Sequence, residues 1–597
     1  MSILVQRRLA NPDLKLPDSL HPLLRRIYCQ RKIDSVEELQ LGLDKLLLPA
    51  QLKGLDAATG LLQQALTEQQ RVLIVSDFDA DGATSCALAV LALRQFGFDW
   101  VDYIVPNRFE FGYGLTPGIV ELAKAKRPDL IVTVDNGISS IDGVAAAVAA
   151  GIRVLVTDHH LPADELPAAA AIVNPNQDGC EFPSKCIAGV GVIFYVMLAL
   201  RSCLRQSGWI EGGWLKQGKF KDQPAPEPNM ADFLDLVALG TVADVVPLDR
   251  NNRILVDEGL KRIRAGRARP GIVALLDVAK RSAQAIGAAD LGFSVGPRLN
   301  AAGRLDDMST GIECLMTANP GVAHRLALEL DGMNKDRKQI ESDMREQAFQ
   351  YLDEITIEEA ELPAALCLCD PRWHQGVVGI LASRVKDKYH RPVIAFAEVE
   401  VSGAAANEAA VIELKGSARS IKGFHIRDAL DAVASRHPGL VSKFGGHAMA
   451  AGLSLDKSKF ELFKQAFQEE AERLLDDELL RAKLFSDGEL RPEDLSLDTA
   501  KMLAEAGPWG QEFPEPSFDG RFLLIQQRRL GDKHLKMVLS PLDAPQHTID
   551  AIAFNLEASQ WPLADSNEIE LVYRLSVNEF RGNQSVQLMV ERILGFS

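Results

Sequence analysis

Three carboxylates, Asp77, Asp79 and Asp81, stand two residues apart in Arg71 to Ser85, RVLIVSDFDADGATS, behind a hydrophobic run and ahead of a glycine. If extended geometry continued past Ser76, strand alternation would set all three on one face. Like charges so placed repel unless a cation neutralises them, so the spacing suits a divalent metal; a solvated acidic turn at a strand end is the plainer alternative. Further acids follow. Asp135 opens Val134-Asp-Asn-Gly137, where Asn-Gly supplies a tight turn, and Asp158 begins Asp158-His159-His160. Asp244 lies within the apolar run Met230–Leu248, where a charge needs a partner: a metal shared with Asp79, Asp81 and Asp135, or an ordinary buried salt bridge.

A second set of residues has the chemistry to hold phosphate or bases. Arg108 and Tyr113 lie in the aromatic, glycine-rich Asn107–Leu115, suited to a phosphate contact and a stacking contact, with a packing loop as the alternative. Arg298, Asn300 and Arg304 stand on the small-residue segment Gly292–Gly303 and just after it, read as turns that bring backbone close to phosphate, or as a plain loop. Ser417 and Arg419 alternate on one strand face, and Gly446 and His447 belong to a glycine loop whose amides favour phosphate, unless His447 is structural. Arg528, Arg529, Lys533, His534 and Lys536 form a basic hairpin suited to a nucleic-acid backbone.

The elements that must position these groups follow from hydrophobic periodicity. Val72–Ser76, Trp100–Val105, Leu130–Val134, Arg153–Thr157 and Ala170–Val173 are near-continuous Val/Ile/Leu strands alternating with helical patterns, which predicts an α/β fold with a parallel sheet covered on both faces. Such sheets place ligands beyond the carboxyl ends of their strands, and there Asp77, Asp135 and Asp158 fall. Three strand ends delivering acid or imidazole to one edge favour the metal site over the acidic turn. From Asn319 an apolar step of three or four residues predicts one long connecting helix, roughly 50 Å at about 1.5 Å per residue. A second α/β domain begins near Leu366, and five short strands near the end predict an oligonucleotide-binding type β-barrel, with a sandwich as the other possibility. The expected domains are a helical lead-in (1–50), a catalytic domain (51–318), the connecting helix (319–360), a substrate-binding domain (361–456), a helical linker (457–483) and the barrel (484–597). The stretch from Gly208 to Asn229 reads as a surface insertion.

At 597 residues, 47% hydrophobic and 25% charged, the chain is an ordinary globular one and too long for a single core. Eight scattered cysteines without a Cys-x-x-Cys pair give neither a zinc site nor a disulfide framework. No leader-like start and no membrane-length apolar run is evident, so a cytoplasmic protein with no membrane partner is expected. The net charge of -17 disfavours nucleic acid only if spread evenly; Arg253 to Arg281 is locally basic.

The ordered set Asp77-Phe-Asp-Ala-Asp-Gly82, Val134-Asp-Asn-Gly137, Asp158-His-His160, Ala243-Asp-Val245 and Phe444-Gly-Gly-His-Ala448 resembles the DHH phosphoesterase superfamily, and most closely its bacterial members that degrade single-stranded DNA from 5′ ends. The resemblance covers nearly the whole chain, including Trp373-His-Gln-Gly-Val377 and the terminal barrel. It implies that Asp79, Asp81, Asp135, His159 and Asp244 hold two divalent ions, with Asp135 bridging, Asp77 adding to the set and His160 contacting the scissile phosphate. It further implies that Arg108, Tyr113, Ser417 and Arg419 hold the 5′ end, and that Arg298, Asn300 and Arg304 touch substrate phosphate. Single-strand-binding protein and a helicase are the partners it implies.

Hard oxygen ligands suit Mn²⁺ or Mg²⁺ better than zinc. Two such ions would activate water and stabilise charge at phosphorus without a protein nucleophile. The expected activity is a 5′-to-3′ exonuclease on single-stranded DNA releasing 5′-mononucleotides in recombination and repair, the rod and second domain enclosing a cleft too narrow for duplex. The alternatives are an oligonucleotidase or phosphatase acting on short nucleotides, which would not need the barrel, and a non-catalytic single-strand-binding scaffold.

Overall fold

The computed structural model describes residues 4–107, 110–111, 113–209, 227–354, 362–401, 411–446, 448–476, 478–531, 533–556, 561 and 566–596. The insertion expected after Gly208 falls largely outside the described residues. The chain forms two compact units. One runs from Arg8 to Asn334 and resumes at Ser486; the other comprises Lys335–Phe485 with the N-terminal strand Leu4–Arg7.

In the first unit, strands Val101–Ile104, Val72–Ser76, Leu130–Val134, Arg153–Thr157 and Ala171–Val173 lie side by side in that order, all parallel. The strands Val72–Ser76 and Leu130–Val134 have every residue buried, which explains why they read as near-continuous apolar runs. Helices Ala80–Phe96, Gly189–Gln206 and Leu234–Ala243 pack together beside the sheet. Gly189–Gln206 is 18 residues long and apolar enough to cross a bilayer, contrary to the expectation from the sequence, but 61% of it is buried inside the fold.

Two local expectations are corrected. The chain does not stay extended past Ser76: Asp79 caps the helix Ala80–Phe96, its carboxylate accepting from the Gly82 amide at 2.9 Å, and Asp81 sits in the first turn. The segment from Gly292 to Gly303 is helical, a π-turn over Leu291–Val295 running into the helix Gly296–Leu305. Pro297 occupies a first-turn position where its missing N–H costs nothing.

The C-terminal strands Phe518–Leu530, His534–Pro541, Ile549–Ala553, Asn583–Phe596 and Glu568–Phe580 close in that order into a five-stranded barrel. The barrel shares its unit with the parallel sheet through the N-terminal segment. The Tyr28 hydroxyl donates to the Ala506 carbonyl, and the Arg253 guanidinium lies 4.3 Å from the Phe513 ring centroid.

In the second unit, Lys443–Gly446, Ala450–Asp456, Val411–Arg419, Val393–Val401 and Leu366–Cys369 make a mixed sheet. The helix Phe460–Leu474, in the stretch expected as a linker, packs Phe463, Phe467 and Ala471 into this unit's core. The connecting helix is present as Pro320–Glu354, and the boundary between the units falls within it.

Candidate metal centre

The carboxylates expected on one strand face are instead gathered from four chain segments into adjoining clusters. Asp77, Asp79 and Asp135 offer oxygens within 4.8 Å of one another, as do the ligand atoms of Asp81, His159 and Asp244, and those of Asp135, His159 and His160. Asp135 thus belongs to two clusters and joins them.

Each segment is held by a local device. Asp135 has φ +62°, a left-handed turn at the strand end that redirects its side chain, with Gly137 completing the turn at φ +113°. The Asp81 carboxylate accepts from the amides of Gly189 and Val190 at 2.7 and 2.9 Å, so the N-terminus of a second helix faces it. Asp244 caps the C-terminus of Leu234–Ala243, where the helix dipole disfavours an anion and a cation is welcome. The Ala80 amide donates to Asn300 Oδ1 at 2.8 Å, and Arg298 pairs with Asp331 at 2.8 Å and donates to the Ser294 carbonyl. Asn300 therefore braces the metal loop, while Arg298 ties its own helix to the long helix that carries Asp331.

Burial first, and then the charges of neighbouring carboxylates, push Asp81 and Asp135 well above the usual carboxylate range. Burial also raises Asp244. Burial depresses His159 below its ordinary value, which favours neutral imidazole. Its Nε2 lies 3.1 Å from Asp135 Oδ1 and 3.5 Å from Asp244 Oδ2. Among the described residues, both Nε2 and Asp135 Oδ1 are buried without a hydrogen-bond partner. With the Nε2 lone pair free of a proton the two atoms are facing acceptors in a pocket of repelling oxygens, and that donor set fits divalent cations held mainly by oxygen.

Two features escaped the sequence reading. Asp158 is a hub: one oxygen accepts from the amides of His159 and His160, the other from Ile138, and the first also meets His160 Nδ1 at 2.8 Å. Burial opposes ionisation of Asp158, but the hydrogen bond from His160 and both imidazole charges outweigh it and hold its pKa low. Burial likewise opposes protonation of His160, and Asp158 overrides that too, lifting the imidazole to about 9. The Tyr113 hydroxyl lies 3.2 Å from His160 Nδ1 and donates to the Asp135 carbonyl.

The second feature is Gly189. A Cβ there would stand 2.5 Å from Asp135 Oδ1 and 2.7 Å from Asp135 Cβ. Gly189→Ala is expected to displace the Asp135 carboxylate and raise the Mn²⁺ concentration for half-saturation roughly 10–100-fold, the range typical of lost ligand support, while the melting temperature with EDTA changes little. Metal titration of the purified variant checks this; an unchanged requirement would remove Asp135 from the centre. The glycine pair in Ala188-Gly-Val-Gly191 is the signal that could have revealed it.

Arg108 and His447 lie outside the described residues. Arg304 is partly buried just past Asn300 on the helix that braces the metal loop. Ser417, Arg419 and Gly446 lie in the other unit. There Arg419 Nη1 donates to Ser417 Oγ at 3.1 Å, and a Cβ on Gly379 would meet both side chains. On the barrel, Arg528, Arg529 and Lys533 are exposed; Arg529 stacks 4.0 Å from the Trp561 ring centroid and Lys536 pairs with Asp550 at 2.9 Å.

Comparison with known proteins gives three family matches: the DHH family N-terminal domain over residues 71–241, the DHHA1 domain over 362–473 and the RecJ OB domain over 486–592. The single-stranded-DNA-specific exonuclease RecJ of Dickeya dadantii (strain 3937) is 53% identical over 594 residues, covering 99% of this chain and 100% of that protein. The enzyme of the same name from Escherichia coli (strain K12) is 52% identical over 591 residues, 99% of each chain. Among solved structures, RecJ in complex with Mn²⁺ from Thermus thermophilus superposes with a TM-score of 0.75 at 29% identity, over 96% of this chain and 76% of that one.

Proposed function

The chain belongs to the RecJ family of single-stranded-DNA-specific exonucleases, and from that membership we infer that its carboxylate and imidazole centre hydrolyses phosphodiester bonds of single-stranded DNA. The observation that carries the reading is the orphaned pair Asp135 Oδ1 and His159 Nε2 at the junction of the oxygen clusters. Asp77, Asp79, Asp81, Asp135, His159 and Asp244 would hold two divalent cations, Mn²⁺ or Mg²⁺, the ions named for the Thermus thermophilus RecJ structures. Bound there, the ions supply Lewis-acid stabilisation at phosphorus and activation of water.

The chain's own residues do the rest. His160, kept protonated by Asp158 at neutral pH, is a fixed cation for a non-bridging phosphate oxygen, and Tyr113 orients it. The acids are committed to holding cations, which leaves water as the attacking group. Arg108, Tyr113, Ser417 and Arg419 serve the 5′ end, and Gly446 and His447 add amide and imidazole donors. Arg304 would contact substrate phosphate. Arg528, Arg529, Lys533 and Lys536 give the barrel a cationic edge for strand that has yet to be cut. Digestion from the 5′ end with release of mononucleotides, a cytoplasmic location, and work beside single-strand-binding protein and a helicase complete the reading.

Single-stranded DNA and RNA labelled at either end, incubated with Mn²⁺ or Mg²⁺, tests it. The expected result is immediate release of a 5′-labelled mononucleotide from DNA, gradual shortening of the 3′-labelled strand, and much slower action on RNA. Equal rates on dinucleotides and long strands would instead favour the oligonucleotidase reading, and binding without hydrolysis the scaffold.

A further inference from the structure

Phe293 is a large aromatic side chain left 85% exposed, in the middle of the π-turn Leu291–Val295. A π-turn wastes helical hydrogen-bond geometry and persists where the extra residue has a use. This one is packed directly against the end of the helix that delivers Asp244. A Cβ on Gly292 would meet Val242 Cγ1 at 3.1 Å, and one on Gly296 would meet Ala243 Cβ at 3.1 Å. The next residue past Asp244, Val245, is itself 63% exposed and held at φ +62°. Two apolar side chains therefore stand in solvent beside the chain segment that carries a metal-centre acid.

Cations stand on the segment that packs against the π-turn, with Asp290 and Asp277 beside them. Arg281, its side chain 54% exposed, donates from Nε to Ser294 Oγ at 3.3 Å and pairs with Asp290 at 3.3 Å, fixing the guanidinium beside the π-turn. Lys280 next to it is exposed and held at φ +55°. An exposed ring on a turn whose neighbouring residue, Ser294, holds an arginine offers partners for the two components of single-stranded nucleic acid, a base face and a phosphate.

We propose that Phe293 is a base-stacking residue for the single strand on the rim of the metal centre, with Lys280 and Arg281 contacting the phosphates of the nucleotide stacked on it. The proposal rests on the single-strand reading above and adds a positioning subsite to it: stacking would fix the strand's register relative to the scissile bond.

Full-length protein with Phe293→Ala, Phe293→Trp or K280Q/R281Q is compared with the parent on single-stranded DNA in which one abasic nucleotide is moved stepwise from the 5′ end. Binding is read by anisotropy with EDTA, and digestion in Mn²⁺. The parent is expected to lose about tenfold in affinity at one abasic position, the effect of a missing stack. Phe293→Ala should lose about tenfold on intact strand and become indifferent to that position, while Phe293→Trp restores the discrimination. K280Q/R281Q should flatten the salt dependence of binding and leave the abasic profile intact. Parent-like affinity and abasic profile in Phe293→Ala would overturn the proposal, as would a loss of affinity that leaves the parent's sensitivity at that abasic position in place. A parent that binds strand but cleaves nothing would defeat the nuclease reading instead, and the binding arm would still decide the role of Phe293.

Discussion

Asp135→Asn is expected to lower the rate of single-strand digestion by roughly 10³-fold, the scale of removing one preorganised charge-stabilising group, and at the same time to raise the melting temperature of the metal-free protein. The two effects share a cause. Asp135 joins the clusters, so an amide there removes a negative charge from both and leaves His159 Nε2 facing a neutral group. In the absence of cations the same charge is a burden. Burial, then Asp81, Asp79 and Asp77, raise the folded-state pKa of Asp135 above its unfolded value. A carboxyl shifted in that direction loses stability as pH rises from the ordinary carboxylate range through the raised folded value, so at neutral pH the native state carries a penalty for this group. Asparagine cannot ionise and escapes it. Scanning calorimetry in EDTA should show the variant melting higher than the parent, and the order should reverse or close in saturating Mn²⁺, which binds and stabilises only the parent well. Retained turnover in the variant would defeat the metal assignment; a lower melting temperature in EDTA would defeat the electrostatic account of the pocket.

What could be read from the sequence follows from how local each feature is. The five parallel strands were legible because burial on both faces makes such strands mostly apolar, as in Leu130–Val134, where Thr133 is the one polar residue. The barrel was legible from strand spacing, though not the long hairpin of Glu568–Phe580 with Asn583–Phe596, whose outer rungs pair only with each other beyond the barrel wall. Asp135 stood out because a turn dipeptide followed it. Asp158 was placed at a strand end, but its role as a hub was not legible, because that role lies in the hydrogen bonds that converge on it, one of them from distant Ile138. The Gly292–Gly303 stretch misled for a related reason: glycine and proline read as turn residues, but here the glycines are required by close helix packing and the proline sits in a first turn. The N-terminal segment carried no signal because many of its partners are remote, Glu38 meeting Arg253 and Arg31 meeting Asp487, 456 residues away.

That last contact supports the second large expectation: Arg31→Ala should cost about 3–5 kcal/mol of stability in the unit that holds both the parallel sheet and the barrel, the usual cost of stranding one member of a buried ion pair. Arg31 Nη1 donates to Asp487 Oδ1 at 2.7 Å and Nη2 to Oδ2 at 3.2 Å, a two-pronged pairing with both side chains essentially inaccessible to water. Its Nε and Nη2 also donate to the Pro514 carbonyl, so four hydrogen bonds disappear with one side chain. Asp487 would keep Arg8 and the Ser517 amide, too few donors to replace the lost fork. Arg31→Lys keeps the charge without the planar geometry and should recover only part of the loss. Since the pair ties the first helix region to the entry of the barrel, the alanine variant should also be cleaved faster by protease near Ser486 before the parallel sheet unfolds. Urea denaturation followed by limited proteolysis reads both effects. If Arg31→Ala unfolds within about 0.5 kcal/mol of the parent, the size of a neutral surface change, the pair does not anchor the barrel and the aromatic contacts of Tyr28, Trp509 and Phe513 must do so instead.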